Sequence, residues 1–530
     1  MRIIKNMSFR KPQIKWLKST NSVLFIGCSL SLFSCQEKET VENTKPNIIY
    51  ILADDLGYGE LGSYGQNKIE TPNIDKLAQE GMRFTNHYAG SPVSAPSRCM
   101  LLTGKHPGHA QIRGNDEWGS RGDVWSYHAM IADSTLEGQR PMKEGTETLA
   151  TMLKRADYTT GIVGKWGLGA PHTHGTPLQM GFDFFVGYNC QRQAHTYYPV
   201  HLYKNDVRLY LDNDTVAPHT GFDEGADPYD IASYSKYNLN TYSPDLMFDE
   251  LTGFINDNNP NKTGKPFFMY WATPIPHVPL QAPQKWVDYY VDKFGDEEPY
   301  LADGGYFPHR YPRAAYAGMI SYLDEQIGLL VEQLKDLGLY DNTLIIFTSD
   351  NGPSYNGGAD SEWFNSGGPL QEGYGRSKGY VYEGGIRVPM IASWPAKIKP
   401  NSISNHISAF WDMMPTFSEI AGIDAPLDTD GISLLPELLG EEQTQHDFLY
   451  WEFPASDGQQ AVRMGKWKAI RKDIFKGNMT LELYDLDNDI EEQNDVADSN
   501  PEIVSQIEQI MKQEHEPAEI DRFKIKELGD

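Results

Sequence analysis

Two short apolar runs, "NIIYILA" (Asn47 to Ala53) and "TLIIFTS" (Thr343 to Ser349), are each followed at once by a polar pair, Asp54 with Asp55 and Asp350 with Asn351. A run of this length without polar alternation suits a strand buried on both faces, as happens where helices cover both sides of a parallel sheet. Ligands of such sheets bind beyond the carboxyl ends of the strands, so both polar pairs would emerge where a site is built. The rest of the chain from Pro46 agrees: helices are expected at about 71–81, 146–156, 245–257 and 313–337, and strands at about 159–164, 266–272, 343–349 and 387–394. "TPNIDKLAQEG" punctuates its own helix, with Thr71 as cap, Pro72 in the first turn and Gly81 as terminator. After about residue 425 the texture changes to short aromatic segments, "FLYWEF", "AVRMGKWKAIRK" and "LELYDL", and then to a polar helix from about residue 500. The expected class is α/β, a large mixed, mostly parallel sheet sandwiched by helices, with a smaller C-terminal antiparallel sheet plus helix. The two parts divide at roughly 46–425 and 426–530.

The start of the chain reads as a leader, because Arg2, Lys5, Arg10, Lys11, Lys15 and Lys18 precede the apolar run "SVLFIGCSLSLFS" without an acid among them. That run is short for a membrane span. Its end, "LFSC" (Leu32 to Cys35), resembles the lipobox of bacterial lipoproteins, in which cleavage leaves a lipidated Cys35; an ordinary secretory signal cleaved nearby is the alternative. Either reading exports the protein, and the lipobox places it in the bacterial cell envelope, periplasmic or on the outer-membrane surface, with a lipid anchor as its membrane contact. The polar stretch that follows, over roughly 35–45, suits a tether. Loss of residues 1–34 leaves 40 basic against 73 acidic residues, a formal charge of −33. Such a balance excludes a general nucleic-acid surface, and any polyanionic ligand must be met by a local cluster of bases. Beside Cys35 the mature chain keeps Cys99 and Cys190, which form neither a disulfide framework nor a zinc spacing.

Asp54, Asp55, Asp350 and Asn351 brought together would repel unless a cation sat between them. With four oxygen ligands and no His or Cys among them, the natural filler is a hard divalent ion, Ca²⁺ or Mg²⁺. Singly, each of these residues also suits a turn or a helix cap. The stretch "SPVSAPSRCMLLTG" (Ser91 to Gly104) sets Ser94 just before a helix whose first turn holds Pro96, Ser97 and Arg98. The free N–H groups and dipole of a helix start favour an anion beside Ser94, and Arg98 could fork onto it. Ser94 as a plain N-cap is the competing reading.

"SAPSRCMLLTG" resembles the signature of the sulfatase family: Cys or Ser, any residue, Pro, Ser, Arg, then a Leu-Thr-Gly ending. "PNIIYILADDLGYGELGSYG", "TPNIDKLAQEGMRFTNHY", "GIVGKWGLG", "TPIPHVPL", "IIFTSDNG" and "GRSKGYVYEGGIRVPMIASWP" follow the family's order over nearly the whole mature chain. The resemblance implies an alkaline-phosphatase-like fold and a sulfuric ester hydrolase. It implies that Ser94 is oxidised by a formylglycine-generating maturation enzyme, and that the hydrated aldehyde is the nucleophile. Asp54, Asp55, Asp350, Asn351 and residue 94 would bind calcium, Arg98 and Lys165 would hold the hydrated aldehyde, and His277 and Lys378 would hold the sulfate group. His277 or Lys378 would protonate the leaving oxygen.

Many family members carry His where this chain has Gly167, two residues after Lys165. His172, His174 or His195 could stand in for it, and together with Arg192 they are the remaining candidates for substrate contact. Long loops rich in Tyr, His and Trp, among them "GYNCQRQAHTYYPVHLYKN", suit a sulfated carbohydrate, with galactose or N-acetylgalactosamine units first and small aryl sulfates second. A phosphatase or phosphodiesterase of the same superfamily would need a two-zinc His and Asp cluster whose spacing does not occur around Asp350. A lipoprotein that binds sulfated glycans without cleaving them would leave the metal and nucleophile motifs unexplained.

Overall fold

The computed structural model describes Lys45–Asp530, which form one compact unit; the leader and Cys35 lie outside the described residues. Ten strands make the main sheet: β1 (Asn47–Ala53), β2 (Met82–Tyr88), β3 (Thr159–Lys165), β4 (Phe184–Tyr188), β5 (His201–Lys204), β6 (Val207–Tyr210), β7 (Phe267–Ala272), β8 (Thr343–Ser349), β9 (Arg387–Ser393) and β10 (Ser402–Ala409). Their order is β10-β2-β9-β8-β1-β7-β3-β4-β5-β6. The central run β8-β1-β7-β3-β4 is parallel. Strand β9 runs antiparallel to both of its neighbours, and β5 and β6 form an antiparallel extension at the far edge, so the sheet is mixed.

The unbroken apolar runs follow from two cores, one on each face. Along β1, Ile49, Ile51 and Ala53 enter one core and Ile48, Tyr50 and Leu52 the other; β7 divides in the same way between Phe267, Met269, Trp271 and Phe268, Tyr270, Ala272. Period-two side chains with helices on both faces require apolar residues at every position. The first core is closed by helices including Pro72–Glu80, Ser243–Asp257 and Pro312–Asp336, the second by Ser94–Thr103, Leu149–Arg155 and Met413–Ala421. Each fully buried Leu or Ile in these layers contributes about 2 kcal/mol.

The Pro72–Glu80 helix departs from its expected punctuation. Thr71 makes no side-chain cap; its hydroxyl accepts the Gly62 N–H at 2.9 Å. The free N–H groups of Asn73 and Ile74 are taken instead by Asp324, at 2.9 and 2.7 Å, from the long helix packed alongside. A tertiary partner has replaced the local cap, and no local pattern encodes it.

A second, antiparallel sheet comprises β11 (Leu449–Phe453), β12 (Gln459–Met464), β13 (Trp467–Arg471) and β14 (Glu482–Asp485) in sequential order. Leu449, Trp451, Phe453, Ala461 and Ile470 face the main body, while Tyr450, Val462, Ala469 and Leu483 face the helix Pro501–Gln513. Among the described residues no helix is long and apolar enough to cross a membrane.

Candidate active site

Parallel pairing sets one row of strand ends level. Ala53 of β1 registers with Ser349 of β8, and Leu52 of β1 and Gly164 of β3 both register with Ala272 of β7. Immediately beyond stand Asp350 and Asn351, Asp54 and Asp55, the turn that carries His277, and Lys165 as the last residue of β3. Backbone bonds tie the exits together: the Asp54 N–H donates to Ile275 O at 3.1 Å and the Asp350 N–H to Ala53 O at 3.0 Å. The helix start at Ser94 and the loop carrying Lys378 complete the ring.

The side chains interlock around the three carboxylates. Ser94 Oγ donates to Asp54 Oδ1 at 2.8 Å, while Lys165 Nζ lies 2.5 Å and Arg98 Nη2 3.4 Å from Asp54 Oδ2. Arg98 also donates through Nε and Nη2 to Asp350 Oδ2, at 3.1 and 3.0 Å, and through Nη1 to the Lys165 carbonyl at 2.7 Å. Asp350 Oδ1 accepts the Asp55 N–H at 3.1 Å, and Asn351 Nδ2 donates to Asp55 Oδ1 at 2.8 Å. Lys378 Nζ lies 2.7 Å and His277 Nε2 3.6 Å from Asp55 Oδ2. The nine sequence-derived residues Asp54, Asp55, Ser94, Arg98, Lys165, His277, Asp350, Asn351 and Lys378 therefore occupy one place.

Three carboxylates face three basic side chains, Arg98, Lys165 and Lys378, and the carboxylates are unequal. Burial opposes the Asp54 charge, but the surrounding cations, Lys165 foremost, outweigh it and hold the carboxyl well below the usual range. Burial and the neighbouring Asp54 charge push Asp350 up to about 7; burial likewise raises Asp55, against the pull of Lys378. Carboxylates crowded this closely are the ordinary signature of a cation site or of catalysis. A second mark is Asn351 Oδ1, a buried acceptor with no hydrogen-bond partner, since the Nδ2 of the same side chain is committed to Asp55 and Gly352. An orphaned amide oxygen beside three carboxylates fits a hard divalent cation. A nitrogen is also within reach, which the oxygen-only expectation did not include: ligand atoms of Asp54, Asp55 and His277 lie within 4.8 Å of one another. Asp55 itself adopts a left-handed backbone with φ +68°, a conformation Asp tolerates better than most residues and one that accumulates at functional sites.

Ser94 is the first residue of the helix Ser94–Thr103 rather than the residue before it, and Val93 occupies the cap position. The plain N-cap reading therefore fails: the Ser94 hydroxyl is turned to Asp54, and the side chain is only 4% exposed. Ser97 supports the turn from behind, accepting the Gly90 N–H at 3.1 Å.

Of the three histidines named for the Gly167 vacancy, His195 alone stands beside the cluster, its ring stacked on His277 at 5.3 Å and 12°. His172 and His174 line a separate cavity of about 420 Å³ with Asn189, Tyr203 and Asp206. Arg192 pairs with Glu117 and lies over the Trp125 ring, so it does not join the carboxylates. Gly167 has φ +81°, and a Cβ there would meet Gln191 at 3.3 Å. A histidine at this position would be strained in its backbone and crowded by Gln191.

Two positioning residues escaped the sequence reading. Tyr197 OH lies 2.7 Å from both the Pro274 and His277 carbonyls, anchoring the turn that presents His277. Gln459 of β12 accepts the Val381 N–H at 3.1 Å and donates to Gly379 O at 3.0 Å, so the small sheet clamps the loop bearing Lys378. Both bonds end on backbone carbonyls or amides, which no side-chain motif advertises.

The sequence model of the family "Sulfatase" matches residues 46–423, and that described as "N-sulphoglucosamine sulphohydrolase, C-terminal" matches 374–518. The chain is 31% identical over 567 residues to the N-acetylgalactosamine-6-O-sulfatase of Bacteroides thetaiotaomicron, covering 96% of this chain and 99% of that one. It is 31% identical over 430 residues to human N-acetylgalactosamine-6-sulfatase, covering 80% and 71%. Among solved structures, that of Ps i-CgsB in complex with k-i-k-neocarrahexaose superposes with a TM-score of 0.70 at 27% identity, covering 89% of this chain and 94% of that one.

Proposed function

Because this chain belongs to the sulfatase family, whose members are sulfuric ester hydrolases, we propose that it releases sulfate from carbohydrate bearing galactose or N-acetylgalactosamine type units, using a formylglycine made from Ser94 and a bound calcium ion. The observation that carries this reading is the meeting of Ser94 Oγ with Asp54 at the level where four parallel strands deliver Asp55, Asp350, Asn351, Lys165 and His277. N-acetylgalactosamine-6-sulfatases among the relatives and a carrageenan-type oligosaccharide bound to a structural neighbour support the sugar class.

Calcium, held by Asp54, Asp55, Asp350, Asn351 and residue 94, would withdraw charge from the sulfate oxygens and from the attacking hydroxyl. The protein's own groups do the rest. Arg98, locked by three hydrogen bonds to Asp350 and the Lys165 carbonyl, keeps a fixed guanidinium beside residue 94. Lys165 pairs with Asp54 and Lys378 with Asp55, where their charges can neutralise the non-bridging oxygens of a sulfate ester. His277 Nδ1 donates to the Val278 carbonyl at 2.5 Å, leaving Nε2 as an acceptor facing the site. Lys378 carries N–H donors there, so it is the better placed of the two to give a proton to the departing alcohol.

The direct test is a screen for released sulfate against sulfated galactose and N-acetylgalactosamine oligosaccharides, with an aryl sulfate alongside. Turnover of the sugars is expected to exceed that of the aryl ester; turnover of the aryl ester alone would move the assignment to an arylsulfatase. Dialysis against a chelator is expected to lower turnover by roughly tenfold or more, with Ca²⁺ restoring it better than Mg²⁺. Undiminished activity in metal-free protein would remove the cation from the scheme. On this reading the "LFSC" leader sends the enzyme to the bacterial envelope, where sulfated polysaccharide is met outside the cytoplasm.

A further inference from the structure

Within the catalytic cluster, exposure to solvent is concentrated on one side chain. The side chains of Asp54, Asp55, Asp350, Arg98 and Lys165 are at most 3% exposed and that of His277 is 5% exposed, whereas Lys378 is 23% exposed. Lys378 is thus the member of the cluster that reaches solvent, and a substrate entering from there passes it. Four residues before Lys378, Tyr374 is 82% exposed, the most exposed Phe, Tyr or Trp side chain among the described residues. A tyrosine so far out of the protein gains nothing from the core, yet its ring is not loose: Tyr355 packs against it at 5.9 Å and 89°, and Tyr380 at 5.6 Å and 73°. Tyr355 follows the ligand pair Asp350–Asn351 by four residues and Tyr380 follows Lys378 by two, so both braces are rooted in site-bearing loops. Gly373 and Gly375, at φ +88° and +87°, provide the two left-handed turns that hold the tyrosine out between them.

We propose that Tyr374, braced by Tyr355 and Tyr380, is a stacking platform for the sugar ring adjoining the sulfated one, so that the substrate is an oligosaccharide rather than a free sulfated monosaccharide. The proposal rests on the sulfated-carbohydrate reading above and adds a subsite to it. A pyranose ring offers an apolar C–H face within a rim of hydroxyls, and an exposed tyrosine offers a flat apolar ring with a polar tip, so the two surfaces match in kind. A platform beside Lys378, the most exposed side chain of the cluster, meets the part of the substrate that extends toward solvent there.

The test compares wild type with Tyr374→Ala and Tyr374→Phe on two probes, N-acetylgalactosamine 6-sulfate and a tetrasaccharide carrying the same sulfated unit. For Tyr374→Ala the ratio of kcat/KM on the tetrasaccharide to that on the monosaccharide is expected to fall roughly tenfold, through KM, while Tyr374→Phe keeps the ratio near wild type. An unchanged ratio in Tyr374→Ala overturns the platform. If wild type releases no sulfate from either probe, the sulfated-sugar reading fails by itself. The platform is then judged by calorimetry with the desulfated tetrasaccharide: binding by wild type that Tyr374→Ala loses upholds it, and no binding by wild type overturns it.

Discussion

Ser94→Ala is expected to bring sulfate release down to background, a loss on the order of a thousandfold or more, in a protein that still folds. The position supplies no cap, since Val93 fills that role, and its side chain makes one hydrogen bond, 2.8 Å to Asp54. Loss of a bond to a charged group costs about 1.5–3 kcal/mol when the partner is stranded. Asp54 is not stranded here, because Lys165 and Arg98 remain on its other oxygen. Stability is therefore expected to fall by about 1–2 kcal/mol at most, well short of unfolding. Mass spectrometry of protein from its own host adds a readout independent of turnover: the peptide containing Ser94 should be lighter than encoded by two hydrogens. An unmodified serine in active protein would return the chemistry to a plain hydroxyl nucleophile, and full activity in Ser94→Ala would remove position 94 altogether.

What the sequence disclosed about this site follows from how the site is made. Asp54, Asp55, Asp350 and Asn351 were legible because each pair directly ends a strand whose apolar run announces burial, and parallel strands place such ends side by side. Strands β3, β7 and β8 were found nearly to the residue for the same reason. The edge elements β5, β6 and β10 carry no such run; the burial of β6, exposed at both ends, gives the alternation nothing to lock onto. Strand β9 was found, but its antiparallel sense depends on which neighbours it pairs with, and a seven-residue apolar run is silent on that. Interactions that end on the backbone were invisible throughout. Asp324 capping a helix some 250 positions earlier in the chain, Tyr197 holding the His277 turn and Gln459 holding the Lys378 loop are all of this kind. Gly167 shows the converse: the sequence reveals that a histidine is missing, whereas the positive φ and the nearness of Gln191 show why a side chain there is unwelcome.

Lys468→Met is expected to be the most damaging change far from the chemistry. Lys468, in β13, is fully buried, with Nζ 2.8 Å from Glu383 Oε1 and 3.6 Å from Glu492 Oε1. Glu383 also accepts the Tyr88 hydroxyl of β2 at 2.6 Å and lies 3.2 Å from Arg387 of β9 and 3.4 Å from Arg463 of β12, so this one carboxylate links the main sheet to the small one. Removing one partner of a buried pair costs about 3–5 kcal/mol, because the remaining charge stays out of water. The pH dependence has a definite sign. Burial raises the Glu492 carboxyl to about 7 even with Lys468 opposing the shift, so as pH climbs from the ordinary carboxylate range through 7, ionising Glu492 in the folded state costs progressively more stability. Without the Lys468 charge that cost grows, and the deficit of Lys468→Met relative to wild type should be larger at pH 8 than at pH 5 in denaturant unfolding. Glu492→Gln in the Lys468→Met background should recover part of the alkaline deficit. A deficit equal at both pH values would mean that Lys468 acts by filling space, not by charge. Because Gln459 in the neighbouring strand β12 holds the loop that delivers Lys378, loosening this junction should also raise KM for the sulfate ester before the protein unfolds. The small sheet would then serve the active site by fixing one of its cations in place.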